Sequence, residues 1–337
     1  MIRPFHLRDL ALVHRLSEQG VTLHTESALT KNLHPVRGAL FSLVGGDFPT
    51  YVWKAKKRDV AGFIQLGLDA NVQYANILYI SADQSSESVR NVNKVAGRGN
   101  ETNTAVVNEE AWLSLLDQAV VEVGQRGVHS LVAEVDEVGP ELPILRHAGF
   151  AVFTRQDIWV LTEQFVSPDD NNILSQRQEI DNWEIQLLYA NTVPRLVQMV
   201  EPLPPLNDGI GWVLREDNEI TAFVHIQDGP AATWMRLFIH PNAEARADEI
   251  ILAVTRLHPP YADHPIYCCV RRYQSWIQGP LARVGFQLWD SQAVMVKHTV
   301  HHIKKPMQDL SAALEAQGVT PTAPYIRNNY ERQVPES

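Results

Sequence analysis

The feature that most constrains this chain is an internal repeat, in which short segments of the first half recur in the same order in the second. Ala61-Gly62-Phe63-Ile64 corresponds to Thr221-Ala222-Phe223-Val224, 160 residues later (221 against 61). Such self-similarity at a fixed spacing predicts two copies of one structural unit. Two further segments agree, and so do single residues after them: Leu78-Tyr79-Ile80 with Leu237-Phe238-Ile239, Ala148-Gly149-Phe150 with Val284-Gly285-Phe286, Phe153 with Trp289, Gln156 with Gln292, and Val160 with Val296.

The spacing between corresponding residues falls from 159 at Leu78 to 136 at Gly149. A long polar stretch over residues 82–107 lies between these two points, and it has the right length to account for the difference of about 23 residues. We therefore interpret it as an insertion in the first copy. Two unrelated α/β domains with similar periodicity are the alternative.

Composition bounds the functional class. At 337 residues the chain is long enough for two domains, and 45% hydrophobic residues suffice for two cores. A net charge of -10 argues against a nucleic-acid-binding surface, which needs clustered Lys and Arg. Neither an apolar leader after Met1 nor a run of about 18 apolar residues occurs, so we expect a cytoplasmic protein without a membrane span. Cys268 and Cys269 are neighbours on a predicted strand and point to opposite faces, which argues against a mutual disulfide.

Hydrophobic periodicity predicts the elements of each half. In the first half it indicates a strand and a helix over residues 1–20 with Asp9 as a cap, a hairpin, a third strand, a helix capped by Asn108 and ended by Gly127, a strand, and a short helix stopped by Gly149. In the second half it predicts a strand at 183–188 followed by a helix at about 192–200.

The order helix, strand, helix closed by Gly-Phe, and strand over residues 108–161 resembles the second half of a GNAT-type acyltransferase domain. With the repeat, the chain resembles a tandem GNAT protein. The resemblance implies an α+β fold of two tandem GNAT-like domains, each a mixed, mostly antiparallel sheet flanked by helices. The predicted bounds are 1–162 for the first domain, 163–182 for a linker, 183–300 for the second domain and 301–337 for a tail.

The resemblance also implies a function: acetyl-CoA lies where the fourth and fifth strands splay apart and donates its acetyl group to a small-molecule amine. The family's pyrophosphate-binding turn has the pattern Arg/Gln-x-x-Gly-x-Gly/Ala. In the second half, Glu244, Ala247 and Glu249 stand at these positions, and the acidic groups oppose a pyrophosphate.

In the first half the matching region is the inserted loop, whose glycines, arginine and hydroxyls before a helix suit an anion. The first domain is therefore the predicted cofactor binder, with the backbone of Ile80, Ser81 and Ala82 polarising the thioester carbonyl. The alternative is a merely flexible loop, and Glu109 and Glu110 in the first helical turn count against tight phosphate binding. The loop residues predicted to bind the cofactor are Gly97, Arg98, Gly99, Asn100, Thr102, Asn103 and Thr104.

Candidate catalytic residues are fewer. The family often has a proton-donating Tyr four residues before the glycine of Gly-Phe, but Leu145 and Leu281 occupy these positions. Tyr273 is the substitute acid we predict, against the alternative that it packs at the domain edge.

Glu134 and Asp136 close the fifth strand and are the predicted bases, although carboxylates at strand ends are commonplace. We predict no metal site, although His298, His301 and His302 are close in sequence. A homodimer is left open. The rival function is a binding or scaffold protein that kept the fold and lost catalysis.

Overall fold

The computed structural model describes residues 2–31, 34–43, 45, 48–55, 60–68, 74–83, 108–163, 172–198, 203–261 and 263–299. Its strands are β1 (Ile2–Pro4), β2 (Val21–Thr22), β3 (Thr50–Lys54), β4 (Ala61–Leu68), β5 (Tyr74–Ala82), β6 (Ser130–Asp136), β7 (Ala151–Leu161), β8 (Ser175–Gln176), β9 (Ile210–Glu216), β10 (Glu219–Asp228), β11 (Thr233–Ile239), β12 (Ile266–Arg271) and β13 (Gln287–His298). Its α-helices are α1 (Leu10–Ser17), α2 (Thr25–Thr30), α3 (Pro35–Ser42), α4 (Glu109–Gln125), α5 (Glu141–His147), α6 (Asn182–Thr192), α7 (Arg195–Gln198), α8 (Ala247–Leu257) and α9 (Gln278–Val284).

The two halves contain corresponding elements in the same order, as the repeat predicts. Strands β4, β5 and β6 of the first half correspond to β10, β11 and β12 of the second, and α4 and α5 correspond to α8 and α9. Each half begins with a strand and a 3-10 turn that leads into a helix. The fold is therefore α+β, with a mixed sheet flanked by helices.

The two Gly-Phe turns have the same geometry. Gly149 and Gly285 have φ angles of +85° and +109°, a left-handed conformation that favours glycine at a helix end. The amide of Phe150 donates to the carbonyl of Leu145, and that of Phe286 donates to Leu281, both at 3.0 Å. This bond fixes each helix against the strand that follows.

All strands belong to one continuous sheet in the order β1-β3-β4-β5-β6-β13-β7-β12-β11-β10-β9-β8, with β2 paired to β5. The closing strands of the two halves are therefore exchanged. Strand β13 pairs with β6 of the first half, β7 pairs with β12 of the second, and β7 and β13 pair with each other antiparallel. Gln156 faces Gln292 in that central pair, so two residues equivalent in the repeat meet at a local two-fold axis.

This exchange joins the two repeats in one sheet. The bounds 1–162 and 183–300 separate the repeats along the chain, but Met1–Val300 forms one compact unit. The core beneath the first repeat includes Ala293 and Met295 of β13, whereas the core beneath the second includes Leu161 of β7. Part of the predicted linker also belongs to the second repeat, since β8 pairs with β9.

Helices cover both faces of the sheet because successive apolar side chains of its strands point to opposite faces. In the first repeat Ile64 and Ile80 pack in the core that contains Trp112 of α4, while Phe63 and Tyr79 pack in the core that contains Leu16 of α1. The first turn of α4 is closed as predicted, because the Asn108 side chain accepts the amide of Ala111 at 3.2 Å.

Two local predictions are wrong or modified. Residues 183–188 were predicted as a strand but lie in helix α6, since Ile185 and Leu188 are buried while Trp183 and Leu187 are exposed. Asp9 does not cap α1 with its side chain; it accepts the amide of His6 and caps the preceding 3-10 turn.

Cys268 and Cys269 are both buried free thiols. Among the described residues, no helix is long and apolar enough to cross a membrane.

Candidate functional site

Each repeat has one pair of parallel strands that separate partway along their length. Strands β5 and β6 pair only from Tyr74 to Asn76 opposite Ser130 to Val132, although β5 continues to Ala82 and β6 to Asp136. Strands β11 and β12 pair over four residues and then separate in the same way. We call these openings the first and the second splay.

A segment of the chain itself bridges the first splay. Val21 and Thr22 form β2, opposite Ile80 and Tyr79 of β5. The amide of Leu23 donates to the carbonyl of Leu78 at 3.1 Å, and the amide of Glu134 on β6 donates to the carbonyl of Leu23 at 2.8 Å. The Leu23 side chain is fully buried. The inner part of the first splay is therefore filled in this structure.

Outside this bridge lies a cleft of about 540 Å³, which we call the acidic cleft. Its carboxylates are Glu134 and Asp136 of β6, Glu141 of α5 and Asp290 of β13, and Trp289 forms part of its wall. Among the described residues that line it, none is Lys or Arg. The cleft therefore suits a cationic ligand.

Glu134 is held in place and ionised. Its Oε2 atom accepts the amide of Thr25 at 2.6 Å. Burial raises the pKa of Glu134, but the charges of His24 and Arg271 and the hydrogen bonds from Thr25 together outweigh it, so its pKa lies below the ordinary value. The carboxylate therefore keeps its charge at neutral pH.

The second splay contains a small pocket. Arg236 and Arg271 line it together with Tyr189, Tyr273 and Gln274, and among its described lining residues none is Asp or Glu. The free space is about 20 Å³, slightly more than one water molecule needs.

The turn that follows β11 is acidic and ion-paired. Residues Pro241–Arg246 form a 3-10 helix, and α8 begins with Asp248 and Glu249. The Arg246 guanidinium lies 2.8 Å from the carboxylate of Glu216 and 3.1 Å from that of Glu249. This ion-paired, acidic turn agrees with the sequence argument against a pyrophosphate in the second repeat.

A chain of buried hydrogen bonds joins the two splays. Arg271 donates to Oε1 of Gln156, and Nε2 of Gln156 donates to Oε1 of Gln292 at 2.8 Å. The hydroxyl of Thr25 donates to the same Gln292 oxygen at 2.8 Å, and the amide of Thr25 donates to Glu134. The exchanged strands thus supply the polar contact between the second pocket and the acidic cleft.

Both repeats thus contain four strands in the same order, a parallel pair of strands that splays, and a helix that ends at Gly-Phe. The middle strand β5 also carries a bulge at Leu78, where the register with β4 shifts. The fold is that of two tandem GNAT-like units.

Comparisons with known proteins find similar solved structures at low sequence identity. No protein-family model matches the chain, and no curated protein matches it. A GCN5-related N-acetyltransferase from Sphaerobacter thermophilus is 11% identical, with 89% of this chain and 95% of that one covered at a TM-score of 0.49. A tandem GNAT protein from the clavulanic acid biosynthesis pathway is 12% identical, covering 89% and 98% at 0.47. A GNAT-family acetyltransferase from Colwellia psychrerythraea is 12% identical, covering 89% and 100% at 0.46.

The predicted site residues lie in several separate parts of the chain. Gly97, Arg98, Gly99, Asn100 and residues 102–104 lie outside the described residues, and so do His301 and His302. Glu134 and Asp136 line the acidic cleft together, whereas Tyr273 lines the pocket of the second repeat. The predicted base and the predicted acid therefore belong to different splays.

The predicted carbonyl-polarising backbone is not open in this structure. Ile80 lies opposite Ile64 of β4 on one side and Val21 of β2 on the other. Ser81 is buried, and its hydroxyl donates to the carbonyl of Leu16 at 2.8 Å. The predicted role of these residues requires that β2 move away.

Sequence reasoning missed several residues of the site. Leu23 and Thr25 come from a segment that carried no motif, and Trp289 and Asp290 reach the first repeat only through the strand exchange. Only the alignment of Trp289 with Phe153 in the repeat drew attention to this stretch. His298, the described member of the histidine group, lies 2.9 Å from the hydroxyl of Ser130.

Proposed function

We propose that this chain is an acetyl-CoA-dependent N-acetyltransferase that binds a small cationic amine in the acidic cleft of the first repeat. The observation that carries the proposal is the cleft itself, in which four carboxylates and a tryptophan line one end of a splayed strand pair without a basic residue among the described lining. These side chains attract an ammonium group, which is the protonated form of the amine that accepts the acetyl group.

Glu134 anchors the amine rather than taking its proton. A lysine-type ammonium and a glutamic acid differ by about 6 pKa units, so direct proton transfer to an ordinary carboxylate costs about 8 kcal/mol. Because the pKa of Glu134 is lowered further, the transfer to this residue is less favourable still. Asp136 is exposed, with its Oδ1 atom accepting the amide of Val138 at 2.9 Å, and it offers a proton path to solvent.

The cofactor is assigned to the first repeat for two reasons. The turn after β11 in the second repeat is acidic and ion-paired, whereas the loop before α4 contains Gly97, Arg98 and Gly99. In this proposal the thioester takes the place now held by Leu23, and the backbone of β5 polarises its carbonyl once the bridge has left. The amine then attacks the carbonyl carbon, and the thiolate of CoA leaves.

The test is calorimetric titration of acetyl-CoA into wild type and into a Gly97→Val/Gly99→Val double variant. We expect binding to the wild type that weakens in the double variant, followed by acetylation of a short diamine such as 1,4-diaminobutane. Absence of heat at high micromolar cofactor would refute the acetyltransferase proposal. Unchanged binding in the double variant would refute the placement of the cofactor.

A binding or scaffold protein is the second candidate function. Leu23 fills the first splay, and Leu145 and Leu281 stand where the family often has a proton donor. If acetyl-CoA fails to bind while diamines still bind the acidic cleft, this function replaces the first.

A further inference from the structure

The segment that bridges the first splay continues into a helix that lies on the second repeat. Residues 21–31, which we call the bridging segment, contain β2 and helix α2. The first part closes the splay, since the amide of Leu23 donates to Leu78 and the amide of Glu134 donates to Leu23. The second part, α2, packs against β11. One short segment therefore contacts both repeats.

Two polar contacts hold the beginning of α2 on the second repeat. The hydroxyl of Thr25 donates to Oε1 of Gln292 on β13 at 2.8 Å. The carboxylate of Glu26 lies 2.9 Å from the guanidinium of Arg236 on β11, and these two side chains are 22% and 21% exposed. Water and salt screen such a partly buried pair less than a pair at the surface. Both contacts lie within three residues of Leu23 along the chain.

The end of α2 packs against the turn that joins β10 to β11. The amide of Ala231 donates to the carbonyl of Thr30 at 3.1 Å. Gly229 lies so close to the same carbonyl oxygen that an added Cβ would come within 2.5 Å of it. Only glycine permits a backbone approach of this kind. Leu29 packs in an apolar cluster with Trp234 of β11. The helix is thus held at both ends and along one side.

We propose that the second repeat clamps the bridging segment in place and thereby controls access to the first splay. Only one residue separates Leu23 from Thr25, so the two lie at most about 7 Å apart. Leu23 therefore cannot move far out of the splay while α2 stays on the second repeat. The consequence for acetyl-CoA rests on the proposed function: the second repeat sets the fraction of molecules in which the first splay can accept the thioester.

Two substitutions loosen the clamp from opposite sides. Gly229→Ala places a methyl group against the backbone of Thr30, and Gly229 is not among the described residues that line the acidic cleft. Glu26→Gln is the milder variant, because it removes the charge of the ion pair and keeps the shape of the side chain. The matched control is Gly279→Ala in the same repeat as Gly229, where a Cβ would meet nothing nearer than 3.4 Å.

The experiment measures amide hydrogen exchange in the absence of any cofactor. The amides of Leu23 and Glu134 report opening of the first splay, because both hydrogen bonds must break when the bridging segment leaves. The amide of Phe150 donates to the carbonyl of Leu145 at 3.0 Å and serves as the reference elsewhere in the first repeat. Calorimetric titration of acetyl-CoA into the same variants follows.

We expect exchange at Leu23 and Glu134 to become at least about tenfold faster in Gly229→Ala, which is about 1.4 kcal/mol and typical of overpacking. Glu26→Gln should accelerate the same two amides about two- to fivefold, since partly exposed ion pairs contribute little. The apparent Kd for acetyl-CoA should fall by the same factor in each variant.

The reference amide of Phe150, and all three amides in Gly279→Ala, should change by less than about twofold. Unchanged exchange at Leu23 and Glu134 in both clamp variants would overturn the proposal, because the strand would then leave the splay while α2 stays. Equal acceleration at Phe150 would also overturn it, since the whole repeat would then be loosened.

The calorimetric titration separates this inference from the proposed function. Faster exchange at Leu23 and Glu134 without acetyl-CoA binding by any variant would support the clamp and refute the acetyltransferase proposal. Faster exchange with an unchanged Kd for acetyl-CoA would overturn the inference that the clamp controls access.

Discussion

Removal of the Leu23 side chain should strengthen acetyl-CoA binding, the reverse of what an ordinary binding-site mutation does. Leu23 is fully buried and bridges the first splay with two backbone hydrogen bonds. Exposing the side chain costs about 2 kcal/mol, and losing two hydrogen bonds costs about 1 kcal/mol each. Closure of the splay by this segment therefore weakens acetyl-CoA binding by about 4 kcal/mol, which is about a thousandfold in affinity.

Leu23→Ala removes about 2 kcal/mol of the free energy that keeps the splay closed. The apparent Kd for acetyl-CoA should therefore fall about 30-fold. The assay is calorimetric titration at 25 °C. The matched control is Leu16→Ala, because Leu16 is equally buried but packs in the separate core beneath α1. Both variants should lose about 2 to 5 kcal/mol of unfolding free energy, yet only Leu23→Ala should bind more tightly. Equal or weaker binding by Leu23→Ala, or an equal gain in Leu16→Ala, would refute the reasoning.

Three further predictions follow from individual side chains. Glu134→Gln should keep the hydrogen bond from the Thr25 amide but lose the charge. KM for a short diamine should therefore rise about tenfold with little change in kcat. A fall in kcat alone would contradict the proposal that Glu134 anchors the amine. Asp9 is fully buried and accepts two hydrogen bonds from Arg3 at 2.6 Å. Burial raises its pKa, but the Arg3 pair and the His6 amide outweigh it, so its pKa is lowered and its stabilisation is present above about pH 4 and lost as pH falls through the folded pKa. Asp9→Asn should therefore lower the unfolding free energy by about 2 kcal/mol at pH 7 and by progressively less as the pH falls below about 4, as denaturant titrations at a series of pH values would show. Gly285→Ala should cost about 1 to 2 kcal/mol because of its left-handed backbone, whereas Gly279→Ala, where a Cβ would meet nothing nearer than 3.4 Å, should stabilise α9 slightly.

The repeat was predictable from the sequence because it depends on local chemistry. Gly149 and Gly285 end their helices in a left-handed conformation, and apolar runs such as residues 61–64 and 221–224 fix the central strands. The same local argument was wrong for residues 183–188, where alternating apolar and polar residues imitate a strand. That helix exposes Trp183 and Leu187, so its pattern lacks a clean polar face.

The candidate site was less predictable, because its residues meet through long-range pairing. Glu134 could be placed at the end of a strand from its own segment. Its neighbours Leu23 and Asp290 lie more than 100 residues away in sequence, and only the sheet order brings them together. The strand exchange carries no local signal, since β7 and β13 have nearly the same pattern and each can close either half. The predicted cofactor loop remains a prediction, because it lies outside the described residues.

The pairing of Gln156 with Gln292 has a consequence for how this protein can be divided. Because equivalent residues face each other across β7 and β13, two copies of a single repeat related by a true two-fold axis would form the same central strands. The two covalently linked repeats thus resemble a fused dimer. The second repeat is present at a fixed effective concentration that dilution cannot lower. We expect fragments 1–162 and 172–299 to be incomplete when expressed singly and to recover the sheet when they are expressed together. Each fragment would supply the strand that closes the other.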